Sequence, residues 1–81
     1  MRVPRDISGK ELIKRLEAFG YLATRQSGSH VRVTTSVQGE HHITVPMHDE
    51  LRVGTLSSIL SDVALHFSLS KADIIQKLFG R

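Results

Sequence analysis

This sequence predicts an α+β domain with the element order α-β-β-β-α-α, and three observations carry that expectation. Apolar residues recur at helical spacing near both ends of the chain but alternate with polar ones in the middle. Two Ser-x-x-acid boxes mark helix starts. Short turns containing glycine separate the alternating segments, and connections that short join antiparallel strands. A sheet with one apolar and one polar face buries the first against helices, so the expected architecture is a three-stranded antiparallel sheet with helices on one face. At 81 residues, the chain 1–81 reads as a single domain with one modest core.

Ser8-Gly9-Lys10-Glu11 is the first capping box, with Ile7 and Leu12 as its hydrophobic staple. Leu12, Ile13, Leu16 and Phe19 give a helix over roughly residues 9–19 one apolar face, and Gly20 supplies the left-handed residue that ends it. YLATRQS, HVRVTT and HHITVP then read as strands, with turns at Gly28 and Gly39 and a stop at Pro46. Val31, Val33, Ile43 and Val45 point to one side of the sheet, and His30, Arg32, Thr34, His42 and Thr44 point to the other. Leu56, Ile59, Leu60, Val63 and Phe67 make an amphipathic helix over about residues 54–66, entered tightly through Gly54. Ser70-Lys71-Ala72-Asp73 opens a third helix that ends at Gly80. This order, with the second helix beside the first, is the topology of double-stranded-RNA-binding domains.

Composition narrows the function classes. With 40% hydrophobic and 23% charged residues the chain is globular rather than disordered. The absence of cysteine excludes a disulfide framework and a thiolate metal site. MRVPRDISGKE lacks the apolar core of a signal peptide and no apolar run spans a bilayer, so a soluble, cytoplasmic protein with no membrane partner is expected. The net charge of +3 is unevenly placed: residues 1–32 hold seven Lys/Arg against three Asp/Glu, and residues 33–70 hold one against four. A basic excess leading up to His30 suits either a polyanionic partner or a solvated face.

Five histidines are the candidates for chemistry. His41 and His42 are strand neighbours facing opposite sides, so they do not share a metal ion; no ligand spacing occurs elsewhere, and neither metal nor cofactor is expected. His66 ends the second helix, where a positive imidazole complements the helix dipole. His48, following Pro46, reads either as a loop-orienting residue or as a functional group. His30 has the best setting: it opens a strand after the Gly28 turn, on the face the helices leave open, with Arg25, Ser29 and Arg32 near in sequence. An ordinary imidazole exchanges protons near neutral pH. Exposed strand histidines are also commonly inert, so residue physics alone makes His30 a candidate and no more. Lys10 and Lys14, one turn apart on the first helix, read equally as RNA contacts or as solvated charges.

Four segments, SGKELIKRLEAFGY, RQSGSHVRV, ITVPMH and GTLSSIL, resemble in order and spacing the signatures of HicA-type (YcfA-like) mRNA interferase toxins, the toxic partners in HicA–HicB toxin–antitoxin pairs. The resemblance runs from about Pro4 to Gly80. It implies a fold like that of double-stranded-RNA-binding domains, a metal-independent endoribonuclease acting on mRNA, and a cognate HicB-type antitoxin that covers the active face. It maps the family's active histidine, in Gly-Ser-His, onto His30 and the preceding glycine onto Gly28. With that prior, His30 is the expected catalytic group, Lys10, Lys14, Arg25, Ser29 and Arg32 are the expected RNA contacts, and His48 is the expected second catalytic group. One departure is that Arg52 and Val53 stand where the family carries lysine and proline ahead of Gly-Thr-Leu. The main alternative is a non-catalytic RNA-binding module of the same fold; a protein-interaction domain that never meets RNA is the next.

Overall fold

The computed structural model describes residues 3–80, so Met1, Arg81 and Arg2, the last of which contributes to the basic excess, lie outside the described residues. The elements follow the predicted order: α1 Gly9–Leu16, a 3₁₀ turn Glu17–Phe19, β1 Leu22–Ser27, β2 His30–Thr35, β3 His41–Pro46, α2 Val53–Phe67 and α3 Lys71–Phe79. The strands form one open antiparallel sheet in the order β1-β2-β3.

Each boundary has a local cause. The Ser8 hydroxyl accepts the Glu11 N–H at 3.0 Å and starts α1. The helix tightens to 3₁₀ geometry after Leu16 rather than running to Phe19, and Gly20 at φ 85° turns the chain into the sheet. Ser68 at φ 55° ends α2, with the Leu69 N–H donating to the Ala64 carbonyl at 3.0 Å, and Ser70 caps α3 through the Asp73 N–H. Gly54 falls inside the first turn of α2, with open space where a Cβ would stand, so the entry to this helix does not depend on it.

Val31, Val33, Ile43 and Val45 are buried on one face of the sheet together with Leu12 and Leu16 of α1, Leu56, Leu60 and Val63 of α2, and Ile74 of α3. The closest helix partner of α2 is α3, which also touches α1. Thr35 is the one buried polar residue among the described residues; its hydroxyl donates to the Phe19 carbonyl at 2.8 Å and accepts from the Val37 N–H at 3.1 Å, tying the end of the first helical segment to the sheet. Gly9 brings α1 against the end of β3: a Cβ there would collide with the Pro46 carbonyl oxygen, and the Gly9 N–H donates to the His48 carbonyl at 3.0 Å. Among the described residues nothing forms a layer over the other face of the sheet, which carries His30, Arg32, Thr34, His42 and Thr44.

Candidate active site on the open sheet face

His30 is fixed by the turn before it and the strand beside it. Gly28 and Ser29 alone connect β1 to β2, and only Gly28 of the two has a positive φ, 58°, which is the pattern of a type II′ hairpin turn. Ser27 and His30 therefore face each other across the hairpin. On its other side His30 is opposite Pro46, and the next ladder bond runs from the Met47 N–H to the Ser29 carbonyl at 2.6 Å. That bond makes His30–Pro46 a non-hydrogen-bonded pair, the kind in which side chains approach most closely. A proline costs nothing at such a position, because its missing N–H would not have entered the ladder with β2. Pro46 thus forms a stiff wall beside an exposed imidazole. Among the described residues that imidazole makes no hydrogen bond or ion pair.

The arginines reach the same face by different routes. Arg32 does so by simple alternation from His30. Arg25 would point the other way by alternation from Leu22, but β1 carries a bulge between Ala23 and Arg25, with Thr24 as the extra residue. The bulge sets Arg25 directly opposite Arg32. Neither guanidinium has a carboxylate partner among the described residues, although like charges in facing positions repel. A backbone that holds two unpaired cations together on an open face is suited to an anion with more than one charge.

The remaining expected residues are distributed more widely. Ser29 lies in the turn, with its carbonyl committed to Met47. His48 is exposed two residues beyond Pro46, at the same end of the sheet as His30. Lys10 and Lys14 sit on α1, in the layer on the far side of the sheet, and line a shallow depression with Ser8, Glu11, Ile13 and Glu17. That depression mixes both signs of charge, and Glu11 already pairs with Arg15 at 2.9 Å. The structure brings His30, Arg25 and Arg32 together and leaves the two lysines apart from them.

His41, His42 and His66 are occupied. His41 and His42 diverge as neighbouring strand residues do: the His41 imidazole bonds Tyr21 at 2.7 Å and Asp62 at 3.3 Å, whereas His42 bonds Thr34 at 2.8 Å and Glu40 at 2.7 Å. His66 stacks on His41 with ring centroids 4.5 Å apart and donates from Nε2 to the Val37 carbonyl at 2.9 Å. Sequence reasoning missed Thr24, whose bulge has no signature in the residue pattern, and Pro46 as the neighbour of His30, which its place at the end of an apolar-alternating strand could have indicated.

Residues 9–65 match the family model described as the HicA toxin of bacterial toxin–antitoxin systems. The chain belongs to this HicA toxin family. No match was found among curated proteins or among solved structures. As a HicA chain it is the toxin of a toxin–antitoxin system, and its family implies a cognate antitoxin as partner. The matched segment of this HicA toxin contains the whole sheet, with His30, Arg25 and Arg32, and stops before α3. Among the described residues no helix is long and apolar enough to cross a membrane.

Proposed function

We propose that this HicA toxin is an endoribonuclease that cleaves mRNA on the open face of its sheet, with His30 as the proton-transferring group. The observation that carries the reading is the contrast on that face between an exposed, unbonded imidazole, walled by Pro46, and two unpaired guanidiniums next to it along the sheet. His30 takes the proton of a ribose 2′-hydroxyl as that oxygen attacks the adjacent phosphorus. The new 2′-O–P bond forms as the P–O5′ bond breaks, leaving a cyclic phosphate on one fragment and a 5′-hydroxyl on the other. Arg25 and Arg32 hold the phosphates and offset the negative charge that builds up on the non-bridging oxygens of the pentavalent phosphorus.

The departing 5′-oxygen needs a proton that the same His30 does not supply while it is accepting one. His48, exposed at the same end of the sheet, is the proposed donor, and Ser29 and the α1 lysines Lys10 and Lys14 are auxiliary RNA contacts. The reaction needs no metal, and a toxin that acts on mRNA works in the cytoplasm. The HicB-type antitoxin blocks it by covering the face that bears His30.

The test is incubation of the purified protein with mRNA, with and without EDTA, followed by end-group analysis. Cleavage that survives EDTA and leaves cyclic phosphate ends is expected, as is its loss in His30→Ala. Loss of cleavage in EDTA, or parental cleavage by His30→Ala, overturns the mechanism; RNA binding without any cleavage makes the domain a binding module instead.

A further inference from the structure

Every residue of β1 is exposed, including Ala23 and Gln26, which lie opposite the buried Val33 and Val31. No apolar face is therefore buried by β1, and burial does not fix its register against β2. A strand exposed on both faces is free to slip by one residue, which moves every side chain to the other side. Repulsion between Arg25 and Arg32 favours such a slip. Yet the bulge stands at Thr24, and four side chains across all three strands and the adjoining turn converge on it.

The Thr24 hydroxyl lies 2.9 Å from the Thr34 hydroxyl and 3.3 Å from the Arg32 carbonyl. Thr34 Oγ1 lies 2.8 Å from His42 Nδ1, and His42 Nε2 lies 2.7 Å from Glu40 Oε2. A carboxylate only accepts, so Nε2 carries a proton. With His42 neutral, the bonds run Thr24 to Thr34 to His42 to Glu40. With His42 protonated, Nδ1–H donates to Thr34, Thr34 donates to Thr24, and Thr24 donates to the Arg32 carbonyl. The four side chains are linked in both arrangements, and the bond to the Arg32 carbonyl forms only in the second, because the single Thr24 proton goes to Thr34 in the first.

We propose that Glu40, His42, Thr34 and Thr24 form a positioning chain that pins the β1 bulge and so holds Arg25 on the open face as a phosphate-binding partner of Arg32. The register claim stands on the geometry alone; the phosphate role rests on the RNA reading above. Thr34 and His42 act through Arg25, and neither is a catalytic residue.

The experiment uses the full chain with His30→Ala to prevent cleavage, a short single-stranded RNA oligonucleotide as probe, and NMR of the free protein. In Thr34→Val the cross-strand contact between Arg25 and Arg32 is expected to be lost, and Thr34→Ser is expected to restore it. The slope of log affinity against log salt is expected to fall by about 0.7, the share of one phosphate contact on a single strand. Arg25→Ala is expected to lower the slope equally, and the double variant Arg25→Ala/Thr34→Val to fall no further. Retention of the cross-strand contact in Thr34→Val overturns the positioning chain, and so does a loss of affinity that adds fully to that of Arg25→Ala. Loss of the contact in Thr34→Val while Arg25→Ala binds RNA like the parent supports the pinned register and overturns the RNA reading of this face.

Discussion

The two ends of the β2–β3 ladder each carry a histidine, and the two are treated in opposite ways. At one end His41, opposite Thr35, is half-buried, bonded at both ring nitrogens and stacked on His66. At the other end His30, opposite Pro46, is exposed and, among the described residues, bonded at neither. Asp62 is an acceptor, so it fixes the His41 proton on Nε2 and leaves Nδ1 to accept from the Tyr21 hydroxyl. That imidazole is consumed in holding Tyr21 in the core. The difference teaches that a histidine is available for chemistry where the fold places its backbone firmly and leaves its ring without partners.

Removing each imidazole in turn sharpens the contrast. His30→Ala is expected to slow RNA cleavage by about 10²–10⁴-fold, the contribution of one positioned proton-transfer group. Its stability in urea is expected to stay within about 0.5 kcal/mol of the parent, as for other exposed sites. His41→Ala is expected to act the other way. It leaves the Tyr21 hydroxyl, in a residue with no exposed surface, without its acceptor, at a cost of about 1–3 kcal/mol, while cleavage per folded molecule is retained. Equal destabilisation by the two substitutions would erase the distinction between the ends.

The bonded end also has a pH signature. Burial, and then the charge of Asp62, push the Tyr21 hydroxyl up from 10.0 to about 12. The folded protein thus holds this proton more tightly than the unfolded chain does. The resulting stability is complete below pH 10 and is lost as the pH rises toward 12. Tyr21→Phe is expected to start less stable at neutral pH, having lost the bond to His41, and then to lose less than the parent across that interval. Urea unfolding on both sides of the window checks this, and parallel curves for the two proteins would show that Tyr21 does not titrate there.

The same contrast explains what the sequence made legible. Capping boxes at Ser8 and Ser70, the helical and twofold apolar periods and the Gly28 turn are local signals, and they predicted the elements and the open face with His30, Arg32 and His42 on it. The bulge at Thr24 is not local: nothing in Leu-Ala-Thr-Arg-Gln-Ser marks an extra residue, and only the pairing with β2 reveals it. For that reason nearness in sequence brings Arg25 close to His30 but does not tell which way it faces. Lys10 and Lys14 illustrate the converse: the predicted layering already puts α1 on the side of the sheet away from His30, and a charge count along the chain does not register that separation. The bonds that occupy His41 and His66 join residues from about 20 to 30 positions apart, beyond what periodicity reports.

The smallest expected effect concerns the two glycines that enter and leave β1. Both have positive φ, 85° at Gly20 and 58° at Gly28, so alanine at either site meets backbone strain of about 1–2 kcal/mol. Their surroundings differ as the histidines do. A Cβ on Gly20 would stand 2.7 Å from the Thr35 hydroxyl and 2.9 Å from a Val37 methyl, pressing on the bond that ties the first helical segment to the sheet. A Cβ on Gly28 would meet nothing within 4 Å. Gly28→Ala is therefore expected to cost the strain alone, and Gly20→Ala the strain together with a collision. Because the II′ turn sets where β2 begins, Gly28→Ala is also expected to slow cleavage at unchanged RNA affinity, whereas Gly20→Ala lowers stability and leaves the rate per folded molecule alone. A rate for Gly28→Ala equal to the parent's would mean that the Pro46 pairing holds His30 in place without help from the turn.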